Sequence, residues 1–259
     1  MIVAGCDVGS LTAKAVIMRG DEILAARVMR AKSHPEESAN EIMGQALERA
    51  GLVMEEISYC VGTGYGRASI PFARSVESEI ACHGKGAQWQ MPSVRMVIDI
   101  GGQDAKAIRL DDQANVIRYV YNDKCASGTG RFLEVMADAL NIDLNNMGEV
   151  SLSSQNPISI SNQCVIFAET EIVSLVNEGR DIADIINGLH HALAHRVAAL
   201  AKGIELQDDI VMTGGVAKNK GMFAALEKAL GKKIKDLDRD PQINGALGAA
   251  IFAAERLRH

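Results

Sequence analysis

Two cysteines occupy positions where they could bind metal. Cys125 lies in NDKCASGTGRF (122–132) and Cys164 in SNQCVIFAETE (161–171), each just before an apolar pattern typical of a helix. Helix N-termini stabilise thiolates, so the two thiols are a plausible half-site for an anionic iron–sulfur cluster. A [4Fe–4S] cluster usually takes four cysteines, and no CxxC spacing occurs. A two-fold dimer would supply four thiols, although spacing alone favours buried or incidental cysteines.

Two aspartates begin the two copies of an internal repeat. Residues 7–17 read DVGSLTAKAVI and residues 99–109 read DIGGQDAKAIR, and each follows an apolar run and leads into another. This pattern predicts strand, tight turn, strand, with Asp7 and Asp99 at the ends of the first strands. The identical pairs are Asp7/Asp99, Gly9/Gly101, Ala13/Ala105, Lys14/Lys106 and Ala15/Ala107.

Glycine turns of this kind suit a polyphosphate, because glycine lets backbone N–H groups approach phosphate closely. Mg²⁺, held mainly through water, would offset the repulsion between Asp7, Asp99 and the phosphates. We expect Gln103 or Asp104 to orient the attacking water, so the predicted catalytic residues are Asp7, Asp99, Gln103 and Asp104. The predicted nucleotide-binding residues are Gly9, Ser10, Leu11, Thr12, Ala13, Lys14, Gly101, Gly102, Gln103, Gly128, Thr129, Gly130, Gly214, Gly215, Val216 and Gln242.

The order of elements predicts an α/β fold with two related halves. Each repeat is followed by a third strand, at 22–30 and 116–122, and then by a helical pattern. The prediction is a duplicated ribonuclease-H-like, or actin-like ATPase, architecture with a nucleotide cleft between the halves. The first half spans 1–93 and is completed by the C-terminal helix 243–259, and the second spans 94–242 and carries the cluster-ligand helices.

Composition narrows the function classes. The net charge of −6 argues against nucleic acid as a partner, and no apolar run reaches the length of a membrane helix. The N-terminus lacks the basic start of a signal peptide, so a cytoplasmic protein is expected, with no disulfide framework. Cys6, Cys60 and Cys82 are predicted to be buried core residues. His190, His191 and His195 lie in one helical pattern and are predicted to be structural or exposed.

The motifs together resemble a known family. The segments that carry the resemblance are DVGS…AK, TGYGR (63–67), SEIACHGKGA (78–87), VIDIGGQDAKAI (97–108), NDKCASGTGRFLEVMA (122–137), CVIFAETEIVS (164–174), VMTGGVAKN (211–219) and NGALGAA (244–250). They resemble the activators, or component A, of 2-hydroxyacyl-CoA dehydratases. The ATPase subunits of benzoyl-CoA reductases and the reductases of double-cubane proteins are similar, within the actin, sugar-kinase and Hsp70 ATPase superfamily.

The resemblance implies a homodimer sharing one [4Fe–4S] cluster, ligated by Cys125 and Cys164 of each subunit. It implies ATP or ADP with Mg²⁺ in each subunit, and nucleotide-driven movement of the cluster-bearing helices. A low-potential electron would pass to a 2-hydroxyacyl-CoA dehydratase or a related iron–sulfur reductase. A ferredoxin or flavodoxin would re-reduce the cluster.

The sequence departs from the family pattern in two places. The first turn reads Ser-Leu-Thr-Ala-Lys where activators often have Ser-Thr-Ala-Ser-Lys, which leaves the roles of Ser10 and Thr12 less secure. SNQCVIF replaces a more usual Ser-Ser-Thr-Cys-Thr stretch, which alters the surroundings of the cluster. Two alternatives stay open: a small-molecule kinase of the same superfamily, and a non-catalytic regulator that senses ATP or redox state.

Overall fold

The computed structural model describes residues 1–122, 125–161 and 164–258, and within them the chain forms two compact units. Unit 1 comprises Met1–Arg95, Leu110–Ile117 and Leu237–His259, and unit 2 comprises Met96–Arg109 and Arg118–Asp236. Each unit contains one five-stranded sheet.

The sheet of unit 1 is mixed. Its strands are β1 (Ile2–Val8), β2 (Thr12–Arg19), β3 (Glu22–Arg30), β4 (Ile57–Thr63) and β5 (Ser75–Val76), in the order β3-β2-β1-β4-β5. The first three strands form an antiparallel meander, and β4 and β5 continue in parallel from β1. The predicted strand–turn–strand–strand start is therefore present.

Three helices complete unit 1: α1 (Pro35–Ala50), α2 (Glu79–Gln90) and α8 (Asn244–Arg256). Side chains alternate across a strand, so Ala4 and Cys6 of β1 face α1 while Val3 packs with α8. Contact with α8 is very close, because a Cβ at Gly5 would lie 2.0 Å from the Ala246 carbonyl oxygen. The C-terminal helix is thus an integral layer of the N-terminal unit.

Unit 2 repeats this sheet order. Its strands are β6 (Met96–Ile100), β7 (Ala105–Leu110), β8 (Val116–Asn122), β9 (Ile210–Thr213) and β10 (Ile234–Lys235), ordered β8-β7-β6-β9-β10. As in unit 1, the central strand pairs antiparallel with the next strand and parallel with a later one. The common order is the structural counterpart of the sequence repeat.

The helices of unit 2 share one apolar core with this sheet. They are α3 (Gly130–Ala139), α4 (Met147–Leu152), α5 (Val165–Asn177), α6 (Ile182–Gly203) and α7 (Lys220–Leu230). α6 begins at Asp181, whose side chain accepts hydrogen bonds from the first amides of the helix. None of the helices in the described ranges is long and apolar enough to cross a bilayer.

Candidate functional site

The predicted aspartate of unit 1 lies in a hairpin that pairs it with a lysine. The register of β1 and β2 sets Asp7 opposite Lys14, and Lys14 Nζ lies 3.1 Å from Asp7 Oδ2. Asp7 is only 5% exposed. The Gly9 N–H donates to the Thr12 carbonyl at 3.0 Å and closes the turn. A phosphate would therefore meet the peptides after Gly9 rather than its own N–H.

Unit 2 repeats this arrangement with one addition. Asp99 faces Lys106 across the hairpin, and Lys106 Nζ lies 3.3 Å from Asp99 Oδ2. The Gly101 N–H closes the turn onto the Asp104 carbonyl at 2.9 Å. The addition is the Asp104 carboxylate, whose Oδ2 lies 2.6 Å from the same Lys106 Nζ. One ammonium thus forms ion pairs with two buried carboxylates.

A threonine ends β4 and another ends β9, each is followed by a glycine, and both Thr-Gly pairs lie beside these aspartates; sequence reasoning missed the first pair, Thr63 and Gly64. Thr63 pairs with Asp7, and Thr213 pairs with Asp99 and donates its hydroxyl to Asp99 Oδ1 at 2.8 Å. Each threonine precedes a glycine at φ 86°. A Cβ at Gly64 would lie 2.4 Å from Asp7 Oδ1. The recurring Thr-Gly pair at the end of a strand was the available signal.

The glycine after Thr213 is equally constrained. A Cβ at Gly214 would lie 2.3 Å from the Ile100 carbonyl oxygen and 3.0 Å from Asp99 Oδ1. Gly215 is exposed and Val216 is buried, at the start of a short 3-10 helix. This predicted nucleotide turn therefore lies directly beside the Asp99 carboxylate.

A buried polar network holds the end of this turn. Asn219 caps α7, and its Nδ2 lies 3.2 Å from His190 Nε2, while His190 Nδ1 lies 2.9 Å from Ser151 Oγ. Burial lowers the pKa of His190 to about 3, so the ring is neutral. With the amide donating to Nε2, Nδ1–H donates to Ser151. The prediction that His190 is structural fits this position.

The remaining predicted turn residues differ in exposure. Ser10, Leu11 and Thr12 are half-buried, whereas the Ala13 side chain is buried in the core of unit 1. Gln103 is exposed, unlike Asp104. Gln242 lies in unit 1, where its N–H donates to Asp240 Oδ1 at 2.9 Å. Its nucleotide contact stays a prediction.

Cys125 is exposed and lies in the loop that leads to α3. Asn122 Nδ2 donates to the carbonyl oxygens of Cys125 and Ser127, at 3.1 and 2.9 Å. Thr129 Oγ1 donates to the Ala126 carbonyl at 2.6 Å. These bonds anchor the described part of the loop, since residues 123 and 124 lie outside the described ranges.

The start of α3 contacts the second glycine turn directly. The Gly130 N–H donates to the Gly101 carbonyl and the Arg131 N–H to the Gly102 carbonyl, both at 2.8 Å. The Gly130 N–H, which the sequence assigned to phosphate, is therefore engaged within the protein. Gly128 is buried against Arg196, with a Cβ position 3.2 Å from Cδ of that side chain.

Cys164 is also exposed and is the N-cap residue of α5, as expected from the sequence. The segment before it is fixed by Ser161, whose N–H and hydroxyl donate to Glu171 Oε1 at 2.9 and 2.8 Å. Residues 162 and 163 lie outside the described ranges. α5 packs against α3, so the helices that follow the two cysteines are neighbours.

The other three cysteines are buried in unit 1. Burial raises the pKa of Cys60 and of Cys82 to about 12 and raises that of Cys6 as well, so all three are protonated. Cys125 and Cys164 are therefore the accessible thiols of the described chain. Within the same ranges, no group of three or more His, Cys, Asp or Glu residues converges as a metal site. Two exposed thiols, in segments that lead into neighbouring helices, fit half of a four-thiolate site.

Comparisons with known proteins identify the family of this chain. Residues 4–253 match the model of the BadF/BadG/BcrA/BcrD ATPase family. The chain is 45% identical over 259 residues to the activator of lactoyl-CoA dehydratase from Anaerotignum propionicum, with 98% of each protein covered.

Two solved structures are also similar over essentially the whole chain. Component A of (R)-2-hydroxyglutaryl-CoA dehydratase from Acidaminococcus fermentans gives a TM-score of 0.96 at 39% identity, with both chains fully covered. The activator of 2-hydroxyisocaproyl-CoA dehydratase from Clostridium difficile, with bound ADPNP, gives 0.96 at 39% identity, covering 100% of this chain and 96% of that one. The predicted actin-like ATPase fold is confirmed.

Proposed function

Because the chain belongs to the BadF/BadG/BcrA/BcrD family of ATPases, we propose that it couples ATP hydrolysis to delivery of a low-potential electron. The acceptor is a 2-hydroxyacyl-CoA dehydratase or a related iron–sulfur reductase. The names of relatives about 40% identical support a dehydratase, since they activate lactoyl-CoA and (R)-2-hydroxyglutaryl-CoA dehydratases. A reduced ferredoxin or flavodoxin supplies the electron.

The exposure of Cys125 and Cys164 is the observation that carries the proposal. Cys164 is the N-cap residue of α5, where the helix amides favour an anionic ligand, and Cys125 lies in the loop that leads to the neighbouring helix α3. One chain offers two such thiols, and a [4Fe–4S] cluster takes four. We therefore assign one cluster to a homodimer, with two cysteines from each copy. When bound, the cluster supplies a one-electron redox centre.

We assign binding of the nucleotide phosphates and Mg²⁺ to the glycine turns of the two units. Gly9 and Gly101 follow the strands that carry Asp7 and Asp99, and their N–H groups close the hairpins. The N–H groups of the next peptides are therefore the ones that face phosphate oxygens. Asp7 and Asp99 hold Mg²⁺ through water molecules. The lysine beside each aspartate limits the charge repulsion before the cation arrives.

We assign orientation of the attacking water to Gln103 rather than Asp104. Gln103 is exposed, and an amide can both donate to and accept from a water molecule. Asp104 is buried and its carboxylate contacts Lys106. Its task is to set the position of that lysine.

The test is reconstitution of the full chain under strictly anaerobic conditions, followed by iron and sulfide analysis and native mass. A dimer with about two irons and two sulfides per chain is the expected result. Cys125→Ser and Cys164→Ser should each lose the iron, and Cys60→Ala, which removes a core thiol, should keep it. Full iron in either serine variant would exclude that cysteine as a ligand.

Electron delivery needs its own measurement. The dithionite-reduced protein is mixed with lactoyl-CoA dehydratase, and dehydration is followed with ATP, with ADPNP and without nucleotide. Turnover that requires both reduction and hydrolysable ATP is expected. Dehydration that is equally fast without ATP would contradict the coupling, even if the iron content is as proposed.

A further inference from the structure

Helix α3 is capped in an unusual way. The first amides of a helix need acceptors from outside it, and the N-cap side chain commonly provides one. Thr129 makes no such bond, because its hydroxyl donates to the Ala126 carbonyl. The acceptors are the Gly101 and Gly102 carbonyls, which the Gly130 and Arg131 amides reach at 2.8 Å.

The fit at this point is tight for even a small side chain. A Cβ at Gly130 would lie 3.0 Å from the Gly101 carbonyl oxygen and 3.3 Å from Val216 Cγ2. The first residue of α3 is therefore hydrogen-bonded to the second glycine turn and lies close to the turn after β9. A movement of the second glycine turn would act directly on the start of this helix.

The planarity of the peptide bond links each carbonyl that caps α3 to an N–H group on the opposite side of the glycine turn. The Gly101 carbonyl and the Gly102 N–H belong to one planar peptide, and so do the Gly102 carbonyl and the Gln103 N–H. In each peptide the two groups point to opposite sides. A phosphate that accepts hydrogen bonds from the Gly102 and Gln103 N–H groups thus acts on the same two planar peptides whose carbonyls cap α3.

We propose that Gly130 is the positioning residue through which nucleotide at the 101–103 turn sets the position of Cys125. The inference rests on the proposed function, since it takes the turn as a phosphate site and Cys125 as a ligand. Phosphate polarises both peptides and strengthens their carbonyls as acceptors. The tightened cap reaches Cys125 through Thr129 and Ala126, whose backbone and side-chain bonds join the loop to the helix start.

Amide hydrogen exchange in the full, anaerobically reconstituted chain tests this, with residue-level fragmentation and saturating MgADPNP. In the wild-type protein, exchange of the Gly130 and Arg131 amides should slow by about fivefold or more, the lower end of coupling between linked sites. A merely structural glycine would leave exchange independent of nucleotide. Iron release to a chelator, with and without MgADPNP, gives a second readout at the cluster.

Gly130→Ala crowds the cap and keeps the N–H, because its Cβ would lie 3.0 Å from the Gly101 carbonyl oxygen and 3.3 Å from Val216 Cγ2. The turn or the start of α3 must shift by a few tenths of an ångström, while alanine preserves the helix. In this variant, saturating nucleotide should change exchange at Arg131 and the rate of iron release clearly less than in the wild-type protein. Gly203→Ala is the matched control, because no atom lies within 4 Å of its Cβ position.

Two results would overturn the inference alone: wild-type protein that binds nucleotide without any change at residues 130–131, or a Gly130→Ala variant with the full response. A wild-type chain that binds no nucleotide, or holds no iron after reconstitution, would instead overturn the proposed function and this inference with it. Nucleotide binding and iron content are measured separately on the same samples.

Discussion

The two units share one local design and differ in how their lysines are used. In unit 1, Lys14 contacts the single carboxylate of Asp7, and its side chain is 13% exposed. In unit 2, Lys106 lies between Asp99 and Asp104, and its side chain is 4% exposed. Both copies of the repeat keep the strand register that sets an aspartate opposite a lysine, and the second copy has a further carboxylate, that of Asp104.

The added groups also separate the two turns chemically. In the repeat alignment, Gln103 and Asp104 of the second copy correspond to Leu11 and Thr12 of the first. The second turn alone carries an amide and a carboxylate, and it alone among the two caps a helix that follows a cysteine loop. Under the proposed function, these added groups assign hydrolysis and its transmission to unit 2 and leave nucleotide binding to the turn of unit 1.

The largest effect should come from the glycines that the units have in common. Gly64→Ala and Gly214→Ala each introduce a Cβ within 2.6 Å of a carbonyl oxygen at positive φ, which should cost more than about 4 kcal/mol of unfolding free energy. Gly20→Ala, at φ 60° with open space around it, should lose only about 1 kcal/mol. Urea unfolding measures all three. If only one unit were sensitive, the shared design would be refuted.

Removing the lysines should affect the units unequally. Lys106→Met leaves two neighbouring buried carboxylates without their common ammonium, a loss of about 3–5 kcal/mol. Lys14→Met leaves only Asp7 without its ammonium and should cost about 1–3 kcal/mol. The same unfolding measurement applies, and equal losses would mean that Asp104 adds nothing to the pair.

Exchanging the turn residues tests where hydrolysis takes place. Gln103→Leu makes the second turn resemble the first, and it should lower kcat for ATP about 10²-fold with little change in stability. Leu11→Gln is the reciprocal variant and should leave kcat within about twofold. Phosphate release at saturating MgATP gives both values. A wild-type rate in Gln103→Leu would remove Gln103 from the reaction.

The smallest effect concerns the buried histidine of unit 2. Because the folded pKa of His190 is about 3, its unfolded form gains a proton below about pH 6.5 while the folded form stays neutral. The folded state therefore loses about 1.4 kcal/mol between about pH 7.5 and 5.5. His190→Gln should remove this part of the pH dependence, as unfolding curves at both pH values would reveal. An unchanged pH dependence would mean that the ring titrates normally.

The regular elements were largely predictable because their signals are local. The alternation of apolar residues gave the meanders at 2–30 and 96–122, and the helical spacing that stops at Gly51 gave α1. The duplicated fold followed from residues 7–17 and 99–109. The short helix α4 (Met147–Leu152) was not anticipated, since six residues carry too little periodic pattern.

The contacts of the site were less predictable because they depend on strand register and on distant segments. The Asp7–Lys14 and Asp99–Lys106 pairs arise only when the hairpins close in this register. The Gly130–Gly101 bond joins residues that no local pattern relates. Exposure separated Cys125 and Cys164 from the core cysteines, whereas spacing alone had favoured incidental thiols.

The position of α8 has a consequence for how the protein is made. Its contact with β1 at Gly5 and Ala246 means that β1 leaves the ribosome long before the helix that covers it. All of unit 2 is synthesised in between. A nascent chain that stalls there exposes Val3 and Val16, which α8 buries in the finished molecule. Unit 1 is therefore completed after unit 2 during translation.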